Sequence, residues 1–489
     1  MKVLFCTTEL APFSRVGGLA EFSSTLTAAL GRRGAEATII TPLYRGIDRT
    51  LSTLEPFAPH PATDILLGDD RFDVRYWSAK APVSGLPVIF VECDPLFGRE
   101  GIYTNPSDGK GFADNPRRFA LFQEAILHLV QDGLLTPDVI HLNDYHTALI
   151  PAMLKARAAR HPAFVRPKTA LTIHNAVFQA DTDEEMAWRM GLGELLFAPG
   201  SPYRRDGRLN FLKTGVLFAD KVAAVSPSYA AETRSDDALG YGLAYELDGR
   251  GKDYAGILNG VDYGGWDPRD DQLIVQTYTP DTLQRRTSNK EELLALNGLD
   301  AKGLTLPTIG MITRLTDNKG FDLLTTAIDK LMTFDLTLVM LGTGEAKYHK
   351  LLESVKMRYP HKLGLNLTYS NRMAHIILAG SDFFLMPSRF EPCGQHQMYA
   401  MRYGAAPIVH ATGGLADTVV NASDDGEEGW GFTFRGYDVA TLLKTIWRAV
   451  SFYKNKKQFR KIVRRAMQQD FSWEHTADAY FKLYKDLLG

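Results

Sequence analysis

Phe383-Phe384-Leu385-Met386-Pro387-Ser388-Arg389-Phe390-Glu391-Pro392-Cys393-Gly394-Gln395-His396-Gln397 is the stretch from which the rest of this chain is read. The apolar run Phe383 to Met386 has the length and composition of a buried strand, and Pro387 ends it. From Gln397 to Arg402 the composition favours a helix, so Gly394 falls near a helix start. A strand-loop-helix unit places its loop at the carboxyl end of a sheet, where open α/β sheets bind ligands. The helix start offers N–H groups and the positive end of a dipole to an anion, and the Glu391 carboxylate lies beside it. That combination suits a substrate with a phosphate at one end and reacting hydroxyls at the other. It equally describes an acidic residue on a solvated loop, and the stretch alone leaves both readings open.

The pattern repeats along the chain. Val3 to Thr7 reads as a strand, Thr8 to Gly18 as a loop and Leu19 to Arg33 as a helix. Gly17 and Gly18 at that helix entrance let a ligand approach the backbone closely, and Arg15 adds a cation, although a Gly-Gly pair also makes an ordinary tight turn. Further strands are expected at Ala37 to Thr41, Pro87 to Val91, Asp138 to His141 and Thr169 to Ile173, with small edge strands between Pro56 and Arg75. The run Gly264-Gly265-Trp266-Asp267-Pro268 marks a turn-rich hinge, which places a domain boundary near residue 260. From Pro307 the alternation restarts, with strands at Thr308 to Ile312, Leu336 to Leu341, Leu365 to Thr368, Phe383 to Met386 and Ala406 to Val409. The fold class is therefore α/β, with two doubly wound domains that face each other across a cleft for two substrates.

Several loops at strand ends carry candidate chemistry. Arg314 and Lys319, in Arg314-Leu315-Thr316-Asp317-Asn318-Lys319-Gly320, can clamp a diphosphate with a planar fork and a point charge. Leu341-Gly342-Thr343-Gly344 resembles half of a dinucleotide fingerprint. Ala411-Thr412-Gly413-Gly414-Leu415 is a second Gly-Gly before a helix. Asn143, Asp144 and His146 cluster after one strand, and His174 and Asn175 follow the next. The His141/His146 spacing invites a metal reading, but no acidic third ligand at a recognisable spacing supports it.

Composition narrows the class. The chain has 489 residues, too many for one core, with 45% hydrophobic and 23% charged residues. A formal net charge of −2 provides no global field for nucleic acid or an anionic membrane. Three cysteines, far apart and odd in number, argue against a disulfide framework and for a reducing compartment, so the expected location is the cytoplasm. Neither a leader segment nor a membrane span is expected.

Arg389-Phe390-Glu391-Pro392-Cys393-Gly394 resembles the signature of the bacterial glycogen synthases and plant starch synthases. The resemblance recurs in Arg15-Val16-Gly17-Gly18-Leu19, in Tyr103 with Asp114 to Phe119, in His141 to Thr147, in His174 to Gln179, in Arg314 to Gly320, in Thr412 to Thr418 and in the closing Phe471-Ser472-Trp473. It implies two Rossmann-like domains of the GT-B type: residues 1–260 on the acceptor side and residues 261–471 on the donor side, with a helix at 472–489 packing back on the first. It also implies transfer of glucose from ADP-glucose to the non-reducing end of an α-1,4-glucan with retained configuration. The implied catalytic residues are Glu391, Asp144 and His174. Those for the donor diphosphate are Arg15, Gly17, Gly18, Arg314 and Lys319. Tyr369 and Gly342 would meet the nucleotide, with Asp382 and Phe383 nearby. Tyr103, Asn175, Cys393, Gly394, Gly413 and Gly414 would line the sugar or acceptor cleft, with Arg118 either beside them or in a surface ion pair. No metal and no cofactor are implied, and the partners are ADP-glucose and a glucan primer. The chain departs from the family at Arg15 (usually Lys), Glu21 (usually Asp), Tyr145 (usually Trp) and Gln395 (usually Leu). Two alternatives follow: a UDP-glucose-dependent transferase of the same fold, and a catalytically impaired paralogue that binds glucan or donor.

Overall fold

The structure is a computed structural model and describes residues 1–161, 163–189, 204–205 and 208–489. It divides into two compact units. Unit 1 comprises Met1–Val225, Ala230–Asn259 and Trp473–Gly489, and unit 2 comprises Ser226–Tyr229 and Gly260–Ser472.

Unit 1 is built on a ten-stranded sheet. Its strands are β1 (Lys2–Cys6), β2 (Glu36–Pro42), β3 (Glu55–Pro56), β4 (Ala62–Leu67), β5 (Asp70–Lys80), β6 (Pro87–Glu92), β7 (Val139–Asn143) and β8 (Lys168–Ile173), with two more further along. Between them lies a separate small antiparallel sheet of β9 (Asp181–Thr182), β10 (Arg204–Arg205) and β11 (Arg208–Asn210). The large sheet is then completed by β12 (Lys221–Ala224) and β13 (Tyr254–Gly256). The order β13-β12-β8-β7-β1-β2-β6 is parallel throughout, and β5 with its partners β3 and β4 forms the antiparallel margin. The parallel strands are apolar runs because helices cover both faces; β1 is buried from Val3 to Cys6 and β7 over its whole length. At the margin β5 alternates exposed and buried residues, as a strand with one wet face does.

The helix Trp473–Leu488 closes unit 1. Its buried Tyr480 hydroxyl meets Thr172 Oγ1 at 3.0 Å, and the Tyr484 hydroxyl pairs with His141 Nδ1 inside the core. At the rim, Arg33 donates to Glu474 and Asp478, each at 2.5 Å.

Unit 2 holds a six-stranded, all-parallel sheet of β14 (Thr308–Ile312), β15 (Thr337–Leu341), β16 (Leu363–Asn366), β17 (Phe383–Met386), β18 (Ala406–His410) and β19 (Phe432–Phe434). Its order, β16-β15-β14-β17-β18-β19, reverses direction between β14 and β17. The parallel strands of unit 1 reverse in the same way between β1 and β7. In doubly wound sheets this switch point, at the carboxyl ends of the strands, is where ligands are received. The third strand of unit 2 ends at Asn366, two residues earlier than the sequence pattern suggests, so Tyr369 stands on an exposed loop beyond it.

Candidate active site

In unit 1 the chain leaves β1 through Thr7, Thr8 and Glu9. Glu9 is buried, and its Oε2 accepts the backbone N–H of Val16 at 2.6 Å and of Gly17 at 2.7 Å. The other carboxylate oxygen accepts the Tyr103 hydroxyl at 3.0 Å, and that hydroxyl also meets Thr8 Oγ1 at 2.7 Å. Tyr103 therefore braces the glycine loop through Glu9, and the Gly17 amide is already engaged by a carboxylate. Glu9 was not singled out in the sequence; its signal is an acidic residue at a strand end just before a Gly-Gly loop. Arg15 is exposed and pairs with Glu21 at 3.0 Å.

On the other side of the switch point, Asp144 follows β7 with φ 52° and ψ −168°, a combination that costs a residue with a side chain on the order of 1–3 kcal/mol. Its Oδ1 accepts the His174 backbone N–H at 2.7 Å, and the Asn175 N–H helps. Burial nonetheless pushes the carboxyl up to about 7, against those two N–H groups and with the Glu9 charge adding to the rise.

The His174 ring follows β8. Its Nε2 meets Asn143 Oδ1 at 3.0 Å, while Asn143 Nδ2 donates to the Cys6 carbonyl at 2.9 Å. With its NH₂ group committed to a carbonyl, the amide presents only an acceptor to the ring, so His174 Nε2 carries the proton and Nδ1 is left as an acceptor. Burial holds the imidazole down to about 3, so the ring is neutral at physiological pH. Phe22 packs edge-on against it, with ring centroids 4.4 Å apart. A neutral histidine with a fixed acceptor nitrogen suits a sugar hydroxyl. The sequence places Asn143 in the polar cluster after β7 but does not show its role toward His174, and it misses Phe22, which carries no motif of its own.

The two histidines with metal-like spacing serve other ends. His141 is bonded to Thr172 and Tyr484 in the core, and His146 stacks on Tyr103 at 4.9 Å. Among the described residues no group of three or more His, Cys, Asp or Glu could hold a metal ion. Arg118 is neither a lining residue nor a surface ion-pair partner: it is fully buried, and it donates to the carbonyls of Leu96 (2.8 Å) and Ile102 (2.7 Å) and to Asn115 Oδ1 (2.7 Å).

In unit 2 the two loops at the switch point come together. Lys319, in a short 3-10 turn after β14, places its Nζ 2.5 Å from Glu391 Oε2, which follows β17. Ser388 Oγ donates to the same carboxylate oxygen at 3.1 Å. Glu391 is 7% exposed, so this pair is largely withdrawn from water. His410 Nδ1 meets the Ser388 carbonyl at 2.8 Å and steadies the loop from β18. His396 stacks on Phe384, and burial, helped by the Lys319 charge, holds it down to about 4. Arg314 is exposed, and its side chain makes no hydrogen bond or ion pair among the described residues.

The second Gly-Gly pair is there for space. A Cβ on Gly413 (φ +45°) would lie 2.0 Å from the Glu391 carbonyl oxygen, and one on Gly414 would lie 2.0 Å from that of Cys393. These glycines let the helix Gly413–Thr418 press against the backbone on either side of Pro392. Cys393 is buried, and Gly394 adopts φ 70° in the turn that follows. Gly342 lies directly against the Thr313 carbonyl, where a Cβ would fall at 1.8 Å. Tyr369 is 83% exposed, a ring face offered to solvent. Asp382 and Phe383 lie elsewhere: they open β17 at the other end of the sheet, where Asp382 Oδ2 accepts the Thr308 N–H (2.9 Å) and Lys290 Nζ (2.7 Å), and Phe383 is core.

Comparison with known proteins accords with this arrangement. The family described as starch synthase catalytic domain matches residues 2–249, and glycosyl transferases group 1 matches residues 300–466. A glycogen synthase of Thermotoga petrophila is 39% identical, covering 100% of this chain and 99% of its own length. The solved catalytic domain of starch synthase IV from Arabidopsis thaliana, bound to ADP and acarbose, superposes with a TM-score of 0.87 at 30% identity, covering 100% of this chain and 99% of its own. A sucrose-phosphate synthase from Thermosynechococcus elongatus shares the fold, with a TM-score of 0.59 at 16% identity, covering 99% of this chain and 98% of its own. Two parallel α/β units with polar clusters at both switch points define a glycosyltransferase of the GT-B fold. The chain belongs to the family of glycogen and starch synthases, which are glucosyltransferases.

Proposed function

We propose that the chain transfers glucose from ADP-glucose to the non-reducing end of an α-1,4-glucan, with retention of configuration. The observation that carries the reading is the Lys319–Glu391–Ser388 cluster at the switch point of unit 2, a cation and a carboxylate held together where a donor is received. The ADP and acarbose named with the Arabidopsis starch synthase support the donor and the glucan-like acceptor.

The chemistry then divides by charge. As the glycosidic bond to ADP breaks, negative charge gathers on the diphosphate and positive charge on the sugar ring. Arg314 and Lys319 stabilise the first, joined by Arg15 and the amide of Gly18. Glu391 orients the sugar hydroxyls and supports the second, and the ionised Asp144 supplies further negative charge for it. His174 Nδ1 accepts a glucose hydroxyl. The acceptor hydroxyl attacks the face that ADP leaves, and the departing diphosphate oxygen takes its proton. Cationic side chains do the work of neutralisation in this reading, so no cofactor is required. Three cysteines without disulfides support a cytoplasmic location. ADP release on adding glycogen primer, measured with ADP-glucose beside UDP-glucose, tests the proposal. ADP-glucose should be preferred by at least tenfold in kcat/KM. Preference for UDP-glucose would overturn the donor, and no primer-dependent release from either would make the chain a binding paralogue.

Arg15 is where the chain departs most sharply from its family, and the longer fork can reach a phosphate from the exposed loop. Its partner in the structure is Glu21, which a diphosphate would have to displace. Arg15→Ala is expected to weaken ADP binding by roughly 1.5–3 kcal/mol, the scale of a lost charge-assisted contact, and Arg15→Lys to recover part of it. Equal ADP affinity in all three proteins, read by calorimetric titration, would make Arg15 a surface residue and leave the phosphates to Arg314 and Lys319.

A further inference from the structure

Unit 2 has a second concentration of cations, at the end of its sheet opposite Glu391. Asp382, just before β17, and Lys290 lie at the amino ends of the strands, whereas Lys319 and Glu391 follow their carboxyl ends. Strands of this length put those two ends on the order of 15 Å apart. Beside Asp382 is a cavity of about 240 Å³ lined by four cations, Arg286, Lys290, Lys456 and Arg460, and by one carboxylate, Asp382. Its remaining walls include the apolar side chains of Leu283, Leu304, Phe459 and Val463.

The single carboxylate is already spent. Lys290 Nζ is bonded to Asp382 Oδ2 (2.7 Å), the Leu306 carbonyl (2.5 Å) and the Tyr453 hydroxyl (3.0 Å), so all three of its N–H groups and its charge are satisfied. The other three cations face the cavity without a counter-ion. Arg286 donates one Nη2 bond to the Ser381 carbonyl (2.5 Å), and its Nε is buried with no acceptor. Lys456 Nζ lies over the Tyr453 ring, 2.8 Å from its centroid. The Arg460 side chain makes no hydrogen bond or ion pair among the described residues. Lys456 is held down to about 8, by burial first and then by its cationic neighbours Lys290 and Arg460, with Asp382 opposing them. Like charges gathered in a partly desolvated recess repel one another, and the repulsion is relieved by an anion or by loss of a proton.

We propose that this cavity is a binding site for a small phosphate-bearing anion, separate from the donor site. A phosphate monoester brings acceptor oxygens to the Arg286 and Arg460 forks and a charge to the Lys456 ammonium, while its organic part rests on the apolar wall. The glucan, being neutral, has no use for such a cluster. The recess is too small for a polymer, which would instead lie along the exposed basic face of the helix Lys456–Met467, at Lys457, Lys461 and Arg464.

The test uses the full chain with saturating ADP, so that Arg314 and Lys319 are already occupied. Inorganic phosphate and phosphoglycolate are titrated at constant ionic strength against chloride, and the thermal unfolding midpoint and the calorimetric Kd are read. Wild type and Lys319→Ala should both show a saturable rise in midpoint with either phosphate compound. The double variant Lys456→Ala/Arg460→Ala should lose at least tenfold in affinity while its KM for ADP-glucose stays unchanged. Neither substituted residue belongs to the buried core, so the fold should survive; Arg460→Gln alone should give an intermediate loss. No saturable rise in wild type would overturn the proposal, as would a rise that persists in the double variant. A loss of equal size in Lys457→Ala/Arg464→Ala would also overturn it, because the anion would then be held by the helix face and not by the cavity.

Discussion

Glu391→Gln is expected to lower kcat by on the order of a hundredfold or more, the size of effect seen when one preorganised electrostatic contact to a transition state is removed. The substitution keeps the shape and an oxygen that can accept from Lys319 or Ser388, but it removes the negative charge next to the sugar. The same loss removes the counter-charge from the Lys319 ammonium, whose nitrogen lies 2.5 Å from Oε2 of Glu391. ADP should therefore bind the variant as tightly as the wild type, or more tightly, because Lys319 no longer divides itself between a carboxylate and a phosphate. Steady-state kinetics with ADP-glucose and glycogen, together with ADP titration, separate the two effects. Near-normal turnover would remove Glu391 from the chemistry, and a loss of ADP affinity matching the loss in rate would move it from the sugar to the nucleotide. Glu391→Ala should cost more stability than Glu391→Gln, since it leaves a half-buried ammonium without an acceptor.

Asp144→Asn should trade activity for stability. Burial raises the Asp144 carboxyl from 3.8 to about 7 in the folded chain, so the native state holds this proton more tightly than the unfolded state does. An acid shifted upward favours folding while protonated; that contribution is complete below about 4 and is lost as pH rises through about 7. Above neutrality the buried carboxylate costs stability, by at most roughly 4 kcal/mol for a shift of this size. Asparagine carries no charge, and its oxygen can still accept the His174 N–H. The variant should therefore melt several degrees higher than wild type at pH 8 and about equally at pH 4.5, with kcat down a hundredfold or more. A lower melting temperature at pH 8 would mean that the ionised form is well solvated by its backbone N–H partners. The wild-type rate should also show an acid limb near pH 7, absent from whatever activity the variant retains. A residue held ionised at such expense, on a backbone at φ 52°, is the kind of strain that functional sites retain.

Much of this molecule is legible in the residues themselves. Runs such as Val3 to Cys6 and Phe383 to Met386 announce buried parallel strands because strands covered on both faces leave no room for polar alternation. Glycine and proline clusters mark turns by restricting or freeing φ, which is a property of each residue alone. Since both signals are local, the βα alternation and the positions of the polar loops follow without tertiary information.

Partners were another matter. Nothing within the Arg15-to-Gly18 loop shows that Glu9 takes the amides of Val16 and Gly17, or that Tyr103 holds Glu9 in turn. Arg118 reads as a cleft residue or a surface ion-pair partner until three acceptors from Leu96, Ile102 and Asn115 close around it. The protonated nitrogen of His174 depends on Asn143, whose orientation depends on the Cys6 carbonyl of the neighbouring strand β1. The sequence by itself determined which segments become strands and helices and which loops carry charge, because those follow from short-range conformational preference and burial pattern. Only the tertiary structure decided the strand order, with β1 beside β7 and β14 beside β17, and so which loops share a switch point. It alone also showed which charges are spent on the protein's own groups and which side chains, like those of Arg314 and Arg460, have no hydrogen-bond or ion-pair partner among the described residues, because a hydrogen bond between distant residues exists only once the fold has brought them within about 3 Å of each other.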